Sequence, residues 1–143
     1  MKSMLALASC AFGALALAGC VQGDGISSDA DAYDGISQDE TLHLLGTEPF
    51  WSFEIAGETA KFSSPEDIDG SEISVTRFAG NNGLGYSGEL NEQALQIAVT
   101  PGDCSDGMSD RSYPFTATIT WGDATLYGCG YTESQPFTGE EAP

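Results

Sequence analysis

Hydrophobic and polar residues alternate along much of the chain between residues 41 and 133. Trp51, Phe53 and Ile55 are interleaved with Ser52, Glu54 and Ala56, and Ile73 and Val75 with Ser74 and Thr76. Leu95, Ile97 and Val99 alternate with Gln96, Ala98 and Thr100. Phe115, Ala117, Ile119 and Trp121 alternate with Thr116, Thr118 and Thr120. A period of two in β-branched and aromatic residues predicts half-buried antiparallel strands. Turn-forming residues separate the runs: Ala56-Gly57-Glu58, Gly80-Asn81-Asn82-Gly83, Asn91-Glu92 and Gly122-Asp123. No apolar stripe at helical spacing persists beyond one or two turns. The pattern predicts an all-β domain over 41–133, a small antiparallel barrel or sandwich of roughly seven to eight strands.

The first residues read differently. Met1-Lys2-Ser3 is a short basic start, and Met4 to Ala18 is an apolar run too short for a comfortable membrane span. Leu17-Ala18-Gly19-Cys20 follows, and it resembles the lipobox of bacterial lipoproteins. That resemblance implies a signal peptide over 1–19, cleavage before Cys20 and lipidation of Cys20. An ordinary secretory signal with an unrelated cysteine is the competing reading, and either one exports the chain. Several acyl chains on one residue anchor stably, because each buried methylene contributes ~0.8 kcal/mol. Val21 follows the cysteine. By resemblance to the lipoprotein sorting rule, the absence of Asp there implies the outer membrane, with the protein facing the periplasm.

Residues 20–40 are rich in acids, Gly and Ser, and "DGIS" occurs at Asp24–Ser27 and again at Asp34–Ser37. This composition predicts an acidic, disordered tether, with a flexible tail over 134–143 at the other end. Such a tether reaches at most ~70 Å and averages nearer ~25 Å. The formal net charge is −18, and beyond residue 19 only Lys61, Arg77 and Arg111 are basic. That field opposes nucleic-acid phosphates and anionic head groups, so nucleic-acid binding is not expected. It favours solubility, a basic partner or divalent cations. A monomer is expected.

Two cysteines, Cys104 and Cys129, belong to the β domain, and an oxidising compartment points to a disulfide between them. A metal pair is the competing reading, weakened by the lack of a CxxC motif and by a single histidine, His43. The stretch "PGDCSDGMSDRSYP", residues 101–114, holds the densest chemistry. It reads as a loop of about fourteen residues, longer than a hairpin needs, with Pro101 and Pro114 stiffening its ends. Ser105 or Asp103 is expected to cap a helical turn there.

Three readings compete for its side chains. Asp103, Asp106 and Asp110 are weak candidates for calcium ligands, since their spacing departs from the EF-hand pattern. Asp110 or Glu48 pairing with Arg111 would fix the loop, and a structural ion pair of this kind or an arginine bonding the backbone is the favoured reading. Met108, Arg111 and Tyr113 presented to an envelope protein is the third.

Catalytic chemistry is poorly represented. His43 lies in "TLHLLG", where alternation places it on one strand face. No thiol is left over once Cys104 and Cys129 pair, and the glycines of "GNNGLGYSG" lack the GK[ST] of a phosphate loop. The chain is read as a non-catalytic binding or envelope-maintenance protein with no implied cofactor.

Two segments carry a family resemblance over roughly residues 44–131. Gly46-Thr47-Glu48-Pro49-Phe50-Trp51 opens the domain, and Cys104-Ser105-Asp106-Gly107-Met108-Ser109-Asp110-Arg111-Ser112-Tyr113-Pro114 precedes a strand ending at Gly128-Cys129. Together they resemble a family of bacterial envelope lipoproteins or predicted membrane proteins with no assigned activity. The resemblance implies the small β fold and the disulfide. A fainter likeness is to small periplasmic β-barrels, namely META-type domains and membrane-bound lysozyme inhibitors. The inhibitors use a Ser-Gly-x-x-Tyr loop. Tyr86-Ser87-Gly88-Glu89-Leu90 has leucine at the tyrosine position. Inhibition of a lysozyme or other peptidoglycan hydrolase and calcium binding are the alternative functions. Within the first motif Trp51 is expected in the core, and Glu48 to pair with Arg111.

Overall fold

The computed structural model describes residues 31–140. The signal peptide, Cys20 and most of the tether lie outside the described residues. Eight strands form a closed antiparallel barrel in simple up-and-down order. They are β1 (Thr41–Thr47), β2 (Phe50–Ala56), β3 (Thr59–Ser64), β4 (Asp67–Ala79), β5 (Leu84–Leu90), β6 (Gln93–Ser105), β7 (Ser112–Trp121) and β8 (Ala124–Tyr131). No described residue is helical. The barrel closes where His43, Leu44 and Leu45 of β1 pair with Tyr131, Gly130 and Cys129 of β8.

The alternation behaves as a period of two requires. Leu42, Leu44, Phe53, Ile55, Leu95, Ile97, Val99, Phe115, Ala117 and Ile119 point inward and are buried, while their strand neighbours face out. Each large apolar side chain so buried contributes ~1.5–3 kcal/mol. The interior is a packed core rather than a channel.

The loop expected over 101–114 is shorter than its composition implied. The β6–β7 ladder continues through a bulge between Pro101 and Cys104 to the Ser105–Ser112 pair, leaving residues 106–111 as the connection. A bulge relieves the missing proline N–H, so Pro101 does not end the strand.

The segments read as loose also dock at their inner ends. Ile36 is 2% exposed and belongs to the core. Phe137 packs on Tyr113 and Tyr131, and Thr138 exchanges two backbone hydrogen bonds with Ser112. The ordered unit therefore extends beyond 41–133 at both ends.

Candidate functional site

The β6–β7 hairpin folds back over the outer wall of β8 and β1. Cys104 and Cys129 are joined by a disulfide, with Cα atoms 5.6 Å apart. Asp106 organises the tip. Its Oδ1 accepts the backbone N–H groups of Met108 (2.9 Å) and Ser109 (2.8 Å), and its Oδ2 accepts the hydroxyls of Ser109 (2.6 Å) and Tyr113 (3.2 Å). Those donors, led by the Ser109 hydroxyl, lower the carboxyl from its ordinary 3.8 to about 2. Burial above all, with the charge of Asp106, pushes the Tyr113 phenol up, and a hydrogen bond from Arg111 partly offsets this.

These contacts correct several expectations. The turn is organised by Asp106 rather than by Asp103, with the Ser105 hydroxyl accepting the Gly107 N–H at 3.1 Å, and no helical turn forms. The two sequence motifs do meet, but through Thr47, whose hydroxyl donates to the Asp106 carbonyl at 2.9 Å. Arg111, expected against Glu48, holds its guanidinium 4.4 Å from the centre of the Phe137 ring. Tyr113 is buried, so it is not offered to a partner, whereas Met108 is exposed. Among the described residues no three His, Cys, Asp or Glu side chains gather as a metal site, so Asp103, Asp106 and Asp110 do not form a calcium cage. Asp106 spends both oxygens on its own hairpin. The Ser87-Gly88 step likened to an inhibitor loop lies mid-strand in β5, with Leu90 buried in the core.

The two ends of the barrel differ. The segments just before β1 and just after β8 seal one of them. The Tyr33 N–H donates to Gly80 O at 2.7 Å, and Arg77 Nη2 to Ile36 O at 2.8 Å, holding Ile36 inside. The Glu40 carboxylate accepts the Ser134 hydroxyl and the Ser37 N–H, and Gln135 Nε2 reaches Gly35 O. The Ser134 hydrogen bond is the main reason the Glu40 carboxyl is lowered. His43 lies on the outer wall, stacked on Tyr131 at 4.9 Å and facing Glu54 at 3.8 Å.

The opposite end is open. Here a hollow of 440 Å³ reaches into the barrel between Trp51, Phe62, Trp121 and Leu126, with Pro49 and Phe50 at its lip. Trp51 and Phe62 are 5% and 8% exposed, so they form the floor, and Phe50 at 54% stands on the rim. Phe62 lies between Phe53 (5.0 Å) and Trp121 (5.5 Å), which fixes the rings. Trp121 Nε1 donates to Leu90 O at 2.9 Å, so that indole offers the hollow its faces and edges rather than its donor. The volume suits a small ligand, and barrel mouths are common ligand sites.

The four turns around this mouth share a design. Thr47 pairs with Phe50, Ser64 with Asp67, Leu90 with Gln93 and Trp121 with Ala124, so each turn has two residues. Each holds one carboxylate: Glu48, Glu66, Glu92 and Asp123. None of the four turns contains lysine or arginine. The sequence reading singled out Glu48 and Trp51 and placed Trp121 inward, but it missed Phe62, Glu66, Glu92 and Asp123 as parts of one site. The available signal was topological: in an up-and-down meander alternate turns share an end.

A second hollow of 400 Å³ lies on the outer wall between Phe78 and Thr118, floored by Gly85 and Ala98. It is made by outward-facing residues, whereas the mouth is walled by the barrel's own aromatic core. Compared with protein-family models, curated proteins and solved structures, the chain shows no significant match.

Proposed function

We propose that this protein is a non-catalytic binding module of the bacterial envelope, lipid-anchored through Cys20 to the outer membrane and facing the periplasm. Its ligand site is the open mouth of the barrel. One observation carries the reading: the segments just before β1 and just after β8 seal one end of the barrel, while the other end is left open onto inward-facing aromatic rings. The described part of the tether joins the sealed end, so the mouth opens on the side away from the attachment. The pinned β6–β7 hairpin supports the seam instead of presenting a site.

The test uses a neutral apolar probe, N-phenyl-1-naphthylamine, whose emission rises in an apolar site. Saturable one-to-one binding is expected. Ala124 is exposed and lines the mouth, so Ala124→Trp narrows it without disturbing the core and is expected to abolish binding at unchanged thermal stability. Binding that survives this substitution refutes the assignment. For the anchor, Cys20→Ala is expected to move the protein from the membrane to the soluble fraction.

A further inference from the structure

We propose that the mouth binds a small organic cation whose charge is carried on an apolar body, an alkyl- or aryl-ammonium ion. This rests on the reading of the mouth as the ligand site and names its ligand class.

Two independent features of the mouth select a cation. The first is the lining. Both tryptophans of the chain and Phe62 face the hollow. Aromatic faces are negative in their quadrupole and attract an ammonium group within about 6 Å of the ring centroid. With the Trp121 N–H already donated to Leu90 O, that ring has no donor to spare for an anion.

The second is the state of the rim carboxylates. Elsewhere in the barrel, acids are consumed by the fold: Asp106 receives four hydrogen bonds, and Glu40 joins the segments before β1 and after β8. At the open end, Asp67 likewise serves Gly70 N and the Ser71 hydroxyl. The four turn carboxylates are different. Among the described residues, Glu48, Glu66, Glu92 and Asp123 accept no hydrogen bond and join no ion pair. Glu66 stands in the lining, and the other three carboxylates sit on the remaining turns of the same end. A cation seated in the hollow meets this negative rim, and its apolar body fills the aromatic floor. An anion is opposed by all four groups and by a net charge of −18. A neutral apolar ligand gains the floor alone.

The experiment follows intrinsic tryptophan fluorescence of the purified, disulfide-bonded protein, since both tryptophans report from the site. The probes are (3-phenylpropyl)trimethylammonium, its uncharged tert-butyl isostere and 3-phenylpropanesulfonate. The cation is expected to bind saturably, about tenfold or more tightly than the isostere, with the sulfonate weakest. Raising salt to ~0.5 M should reduce the preference, because screening then acts within about 4–5 Å. Glu48→Gln/Glu66→Gln/Glu92→Gln/Asp123→Asn alters only turn residues and is expected to bring cation and isostere to parity. Equal binding of cation and isostere by the native protein overturns the cation assignment and leaves the mouth a binding site. Tight binding of the sulfonate overturns it equally. Binding of none of the probes, together with failure of the neutral naphthylamine, overturns the ligand class and the mouth assignment alike.

Discussion

The indole of Trp51 occupies the space that a side chain at residue 128 would need. A Cβ built on Gly128 falls within contact of both the Trp51 ring and the Leu45 carbonyl, and one built on Gly46 falls on the same indole. The two glycines leave room at the β1–β8 seam for the ring that floors the mouth. Gly128→Ala is therefore expected to destabilise the barrel by about 3 kcal/mol, since the overlap is with backbone as well as with a buried ring. Urea unfolding checks this, and an unchanged midpoint would mean that the seam gives way freely.

Asp106 sets a pH dependence whose direction follows from its environment. Its folded pKa of about 2 lies below the ordinary 3.8, so the ionised form is the one the hairpin stabilises. That contribution is complete above about pH 5 and fades as pH falls through 4 toward 2. Asp106→Asn removes the titration. The melting-temperature gap between native protein and variant should be widest near pH 6 and should shrink by pH 2. A constant gap across that range would show that the charge is immaterial. The side chain is only partly buried, so solvent screening keeps the gap modest.

The disulfide between Cys104 and Cys129 closes a span of 25 residues. In the chain-entropy model such a closure stabilises by roughly 3 kcal/mol. Cys104→Ser/Cys129→Ser should lose about that much. It should also raise amide exchange across 102–112, because the Thr47–Asp106 contact, the aromatic cluster and the Ser112–Thr138 pairing then hold the hairpin without a covalent tie.

Ile36 plugs the sealed end from a segment whose composition reads as linker. Ile36→Ala is expected to cost about 2–4 kcal/mol, as for other buried large-to-small changes. Truncation after the tether, beginning the domain at Thr41, should be at least as damaging. A stability unaffected by either change would mean that Tyr33–Glu40 is bystander chain.

The strands were legible because alternation is a local signal repeated over many residues: Leu95, Ile97 and Val99 declare one face without help from the rest of the chain. Ile36 and Phe137 were not, since each is a lone apolar residue in an acidic, Gly- and Ser-rich stretch. Composition averages such residues away, while tertiary packing uses them individually. Pro101 and Pro114 read as loop boundaries because proline breaks a regular ladder, and the bulge that accommodates Pro101 has no simple sequence mark. Trp51 and Glu48 stood out as a motif. Glu66, Glu92 and Asp123 did not, because they lie far apart in the chain and converge only when the meander closes.

Glu92 joins local strain to the binding surface. Asn91 and Glu92 both adopt positive φ, 51° and 61°, in the two-residue turn between β5 and β6. This conformation favours Asn followed by Gly, and a residue with a Cβ is disfavoured there by ~1 kcal/mol. Glu92→Gly is therefore expected to raise unfolding stability by up to about 1 kcal/mol, partly offset by the greater freedom of glycine in the unfolded chain. It also deletes one rim carboxylate. If that carboxylate serves only solubility, the variant gains stability and its preference for ammonium over the neutral isostere is unchanged. If it serves the mouth, stability rises while that preference falls measurably, and Glu92→Gln lowers the preference without the stability gain. The pair separates backbone strain from charge, because only glycine relieves the first while both substitutions remove the second.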